Sequence, residues 1–179
     1  MKSINFSITL VLLMLLVGCG ADNSELRGYL GELDQSNEAM RALADEQLAW
    51  RQEFEPQIGS ADFSWENAHA HARYLVDAME AQMARLAGLD TPEEAAELRR
   101  HTLDFYEAST EIYRRQFEVF NLLERLSAKQ YKADPDQAVA ESLLARYEEV
   151  QQGLEALAEQ LRAAEARSRA ERERLVATL

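Results

Sequence analysis

Leu98, Phe105, Ile112, Val119 and Leu126 recur every seven residues without a break, and nothing else constrains the fold of this chain as tightly. Seven residues are close to two turns of α-helix. An apolar row at this period marks the buried face of a long helix that another helix must cover. Tyr106, Tyr113 and Phe120 form a parallel row beside it. A second seam follows, Leu143, Tyr147, Val150, Leu154, Leu157, Leu161, Ala164 and Leu175, mostly at alternating spacings of three and four. No stretch shows the period-two alternation of a strand.

Start and stop signals divide the chain into four such helices. Residues 24–55 carry Leu26, Leu30, Leu33, Met40 and Ala44 at helical spacing, with Leu43, Leu48, Trp50 and Phe54 widening the stripe. Asn37 and Gln47 interrupt it at core-type positions. Glu55-Pro56 and Gly59 end this helix. The second covers 64–89, with Asp62 or Ser64 as its cap, Trp65, Ala68, Ala72, Leu75, Met79, Met83 and Leu86 inward, and Gly88 as its stop. Thr91-Pro92-Glu93-Glu94 reads as a capping box with proline at the first helical position, opening a helix over 92–131. Asp134-Pro135-Asp136-Gln137 repeats that signal for a helix over 135–178.

The expected class is all-α: an antiparallel four-helix bundle with long coiled-coil-like helices, one domain over 24–179. Its core centres on the heptad row of the third helix. Trp50, Phe54, Phe63 and Trp65 gather at the first corner, level with Phe117 and Phe120, and Gly153 makes room for the Tyr113 ring. With turns near Asp90 and Ala133, Ser64 reaches only the level of Phe117. The third and fourth helices then project beyond the other two as a tip about 20 Å long. Leu122, Leu123, Leu126, Tyr131, Leu143, Leu144 and Tyr147 lie on that tip, and they are the expected contact surface for a partner.

The chain opens differently. Lys2 precedes an apolar run over residues 4–17, too short to span a bilayer but of the length and flanks of a removable secretory signal. It ends in Leu16-Val17-Gly18-Cys19, which resembles the lipobox of bacterial lipoproteins. The resemblance implies a signal peptide over 1–18 and diacylglycerol on the Cys19 sulfur. The chain would be cut before Cys19 and the new amine acylated, as by palmitate. Residues 19–31 then hold the lipidated cysteine and a tether. Gly20 stands where the family's inner-membrane retention signal places Asp, which implies the outer membrane, with the domain facing the periplasm. Several acyl chains make a lasting anchor where one does not.

Charge narrows the partners. Without Lys2, the 19 Lys+Arg become 18 against 32 Asp+Glu, a formal −14. Such a surface repels nucleic acid and anionic lipid, so contact with the membrane rests on the lipid at Cys19. Cys19 is also the one cysteine of the sequence, so once lipidated it leaves no disulfide to be formed.

No motif names a reaction. Glu66 and His69 have the Glu-x-x-His spacing of di-iron bundles, but those sites need two such pairs. His69 and His71 point about 200° apart on one helix, and His101 sits at a different level. No metal ligand set, haem attachment motif, nucleophile elbow or phosphate loop is present, so neither a catalytic residue nor a cofactor is expected. The reading is a non-catalytic outer-membrane lipoprotein whose helical bundle binds or scaffolds another envelope protein, or a second copy of itself. The alternative is a periplasmic carrier or sensor that holds a small ligand or metal between its helices.

Overall fold

Four helices account for nearly all of the computed structural model, which describes residues 23–58, 60, 63–127 and 137–179. They are α1 (Ser24–Phe54), α2 (Trp65–Ala87), α3 (Ala96–Ser127) and α4 (Gln137–Val176). The described residues contain no strand. The fold is an antiparallel four-helix bundle. Leu16 to Cys19 and Tyr131 lie outside the described residues.

Local chemistry explains the helix ends. The Ser64 hydroxyl accepts from the Asn67 amide at 3.2 Å and so caps α2. At the other end the Gly88 amide closes on carbonyls of the last turn, with φ at −88°, a conformation open to any residue. The capping box expected at Thr91 does not form. Thr91 Oγ1 instead donates to the Leu89 carbonyl at 3.0 Å. Pro92 is extended (ψ 146°), and a 3-10 turn, Glu93–Ala95, comes before α3.

At the end of the bundle where α1 begins, all four helices share one core. Leu26, Leu30 and Leu33 of α1 meet Met79 and Leu86 of α2, Leu98 and Tyr106 of α3, and Leu175 of α4. Burying each such side chain contributes roughly 1.5–3 kcal/mol. The row expected to centre this core, Phe105, Ile112, Val119 and Leu126, is only half-buried; the fully enclosed positions of α3 are Leu98, Thr102, Tyr106 and Thr110. The physical reason is that α3 has helices on two sides, and its deepest line falls between them.

The polar interruptions of α1 have partners. Tyr106 Oη lies 3.0 Å from Asn37 Oδ1 and 3.1 Å from Ser36 Oγ. Gln47 bridges Gln116 of α3 (3.2 Å) and His71 of α2 (3.1 Å). The expected role of Gly153 fails, because a Cβ placed there would meet nothing within 4 Å.

The aromatic corner is present: Trp50, Phe54, Phe63 and Trp65 pack with Phe117 and Phe120. It extends further along α3 than the turn near Asp90 implied. His69 is more than a turn inside α2, yet it bonds Glu124 at 2.8 Å and meets Phe117 edge-on. Ser64 therefore lies past the level of Phe117. The residues spent in the Gly88–Ala95 turn shift the register of the two helices.

Candidate functional site

Where α1 begins, it is tied to α4. Arg172 grips Asp34, with Nη2 at 2.8 Å from Oδ2, and Arg27 donates to the Leu179 carbonyl at 3.4 Å. Further along the two helices part. α1 leans on α2, where the His71 ring lies over Trp50 at 4.8 Å and 13° between planes. α4 stays with α3. Leu143 and Val150 pack against Leu122, and Arg146 Nε bonds Glu118 at 2.8 Å. Thr102 and Ser168 share a hydrogen bond at 2.9 Å, so α4 runs antiparallel to α3 in the register a turn near Ala133 requires.

The parting leaves a cleft of about 640 Å³. Phe105, Ile112 and Tyr113 of α3 form its floor, with Met40 and Met79 beside them. Arg41 and Ala44 of α1 make one wall and Leu161 of α4 the other. Burial pushes the Tyr113 hydroxyl above its ordinary pKa, with Arg51 acting against it, so the phenol in this cleft is neutral at ordinary pH. Of the charged side chains at the rim, Asp34 is paired with Arg172 and Glu165 with Arg169. The lining is mixed: an apolar floor lies under walls that also carry Asn37, Glu38, Arg41, Ser109 and Ser168.

Helical phase shows which further residues share the angular position of these lining residues, because each residue advances about 100° around its helix. On α1, Leu48 continues the row of Arg41 and Ala44. On α4, Leu154 and Tyr147 lie within about 40° of Leu161, whereas Leu144 lies about 100° away from it. On α3, Leu123 lies about 20° from Ile112. Leu48 of α1 is 54% exposed and Leu144 of α4 50%.

The residues expected to meet a partner therefore divide. Leu144 is exposed and Leu123 half-buried, while Tyr147 packs against Leu122, Leu143 and Val150; none of the three lines the cleft. Leu122 and Leu143 are buried between α3 and α4, with Leu126 half-buried beside them. Arg41 and Ala44 of α1 complete the cleft; the sequence had placed Ala44, with Leu48, on the inward stripe, but both are exposed. Their signal was faint: a leucine and an alanine at the outer edge of an already wide stripe.

The histidines do not converge. His69 is with Glu124 and His71 with Gln47 and Trp50, while His101 Nε2 stands 3.7 Å from Glu97. Among the described residues, no group of three His, Cys, Asp or Glu side chains is placed to hold a metal ion. A second hollow of about 510 Å³ lies on the other side of the α3–α4 pair; Glu107, Glu111, Arg114 and Arg167 make it a charged surface furrow. None of the described helices is long and apolar enough to cross a membrane. No protein-family model matches the chain, and comparison with curated proteins and with solved structures finds no match.

Proposed function

We propose that the protein is a non-catalytic bacterial outer-membrane lipoprotein, anchored through Cys19, whose helical domain binds another protein of the cell envelope. The observation that carries this reading is the cleft between α1 and α4. Its floor is apolar, and outside it on the same two helices Leu48 and Leu144 are left half uncovered among the described residues. Exposed apolar surface of this kind marks contact sites. The lipobox supplies the address, and the strong negative charge argues against nucleic acid or anionic lipid as the partner.

α1 begins at the closed end of the cleft, where Arg27 meets Leu179. On this reading the mouth opens away from the anchoring membrane, toward the periplasm. A cleft of about 640 Å³ also falls in the size range of small-molecule sites. That favours the second reading, a carrier or sensor, which native mass spectrometry would reveal as a co-purified ligand.

Two measurements test the proposal. Cys19→Ser should leave an uncleaved precursor that takes no fatty-acid label; a mutant that still matures into the outer membrane refutes the anchor. A photo-crosslinking residue at Leu123 or Leu144 in intact cells should give one discrete adduct, whereas the same residue at Glu107 gives none. Equal adducts at all three positions, or none at any, refute the binding role.

A further inference from the structure

Six charged side chains line the cleft between α1 and α4: Asp34, Glu38 and Arg41 on α1, and Glu165, Arg169 and Arg172 on α4. Four of them are paired within the chain, Asp34 with Arg172 and Glu165 with Arg169. Glu38 and Arg41 are left over. Both are exposed, and among the described residues neither makes an ion pair or a hydrogen bond, even with the other. Residues three apart on a helix are neighbours, about 5–6 Å between Cβ atoms. One wall therefore presents a bare anion and a bare cation side by side.

Other polar groups of the lining are engaged. Asn37 Oδ1 accepts from the Tyr106 hydroxyl, Ser109 donates to the Phe105 carbonyl, and Ser168 shares a hydrogen bond with Thr102. The Tyr113 hydroxyl on the floor is not: among the described residues it makes no hydrogen bond.

These free groups select a ligand by charge. An anion that met Arg41 would face Glu38 beside it, in the field of a strongly negative chain. A cation that met Glu38 would face Arg41. A molecule that carries both charges satisfies both side chains, and one that lacks either charge leaves a side chain unmatched. Length narrows the choice further. The α1 lining runs from Asp34 to Ala44, about 15 Å at helical rise, and Glu38 and Arg41 sit in its middle. About 5 Å of wall remains on either side. That accommodates amino-acid side chains but not the acyl chains of a zwitterionic phospholipid, which reach about 15 Å, half the hydrocarbon thickness of a bilayer.

We infer that the cleft binds a short apolar peptide with free ends, its ammonium on Glu38 and its carboxylate on Arg41. Its side chains lie on the floor of Phe105, Ile112 and Leu161, and its peptide carbonyl accepts from the Tyr113 hydroxyl. A dipeptide, about 7 Å from end to end, matches the spacing of the two charges. This inference deepens the second reading, a small-ligand carrier or sensor, and does not depend on the envelope-protein role.

The experiment is calorimetric titration of the detergent-solubilised, lipid-anchored protein with leucyl-phenylalanine and with the same dipeptide N-acetylated or C-amidated. The free dipeptide should bind, and each capped form about fivefold more weakly. In Glu38→Gln the acetylated form should bind as well as the free one, and in Arg41→Gln the amidated form should do so. Tyr113→Phe should weaken all three alike. Glu38→Gln and Arg41→Gln should leave the melting temperature unchanged, because both side chains are exposed and without a partner among the described residues.

The inference is overturned if the dipeptide does not bind, if capping changes nothing, or if the two variants do not each follow their own end of the peptide. It is also overturned if a single-chain zwitterionic phospholipid binds more tightly than the dipeptide. A fatty acid found on the purified protein by native mass spectrometry overturns it too, and leaves the carrier reading standing. A protein that binds none of these compounds and carries no ligand when purified removes both, and a discrete crosslink at Leu144 in cells then supports the envelope role by itself.

Discussion

Tyr106→Phe removes one oxygen from the centre of the bundle and nothing else. Tyr106 is fully enclosed, and its hydroxyl lies 3.0 Å from Asn37 Oδ1 and 3.1 Å from Ser36 Oγ, the latter on a residue that is itself 0% exposed. A hydroxyl donates one proton, so one of the two contacts is a donated bond and the other is made by its lone pairs or by sharing. Losing a buried bond and stranding its partners costs about 1–3 kcal/mol, and no cavity larger than an oxygen atom is left to add to it. For a chain of this size about 2 kcal/mol corresponds to a fall in melting temperature of roughly 4–8 °C. Thermal and urea unfolding followed by far-ultraviolet circular dichroism would measure it, with Glu107→Ala as the surface control. Ser36→Ala combined with Tyr106→Phe should cost less than the two single changes together, because both members of the pair are then gone. If Tyr106→Phe stays within about 0.5 kcal/mol of the parent with an unchanged urea slope, the hydroxyl makes no useful bond and the account of Asn37 and Ser36 is wrong.

Gly28, Gly31 and Gly153 all sit within helices where an added Cβ meets nothing within 4 Å, so replacing each by Ala should stabilise the bundle by about 0.5–1 kcal/mol. A loss of stability at Gly153 would restore a packing role for that residue. The His71 imidazole has its pKa lowered by burial, with Glu46 partly opposing the shift. As pH falls past about 6.5 the unfolded chain takes up that proton first, so the contribution of neutral His71 is present above this pH and is lost below it. Between about pH 7.5 and 5.5 the melting temperature should fall further in the parent protein than in His71→Gln, and parallel curves would refute the assignment.

The fold was legible because four apolar stripes of helical period, separated by Pro and Gly signals, leave few alternatives to a bundle. Phase was less legible. The heptad row beginning at Leu98 is the most regular pattern in the chain, but regularity reports where one neighbour lies. α3 has neighbours on two sides, so Tyr106 and Thr110 are enclosed while Phe105 and Ile112 look into the cleft. Thr102, Ser109 and Thr110 were illegible as core for another reason: each bonds the carbonyl four residues back, so a polar residue buries without needing a partner helix. For the site, Leu123, Leu144 and Tyr147 could be singled out as apolar residues near a helix turn, yet none of the three lines the cleft. The wall on α1 could not be singled out, because it depends on how far two helices diverge.

That divergence has its origin in α3. Phe120 and Leu122 are two residues apart, so their side chains point about 200° apart around the helix. Phe120 joins Trp50, Phe54 and Phe63, and draws the end of α1 toward α2. Leu122 joins Leu143 and Val150, and holds α4 on the other side. At the level of Tyr106 the same helix feeds one shared core with Leu175, and the Asp34–Arg172 pair closes α1 onto α4. A helix that serves one core at one end and two at the other must splay its neighbours, and the cleft is the space between them. The narrow stripe of α4 is the matching half of this arrangement. An a/d seam covers one neighbour, whereas α2, with a wider apolar face, packs against both α1 and α3. The cleft therefore follows from two features of sequence, the opposed Phe120 and Leu122 and the one-neighbour seam of α4, and it needs no irregularity in any helix.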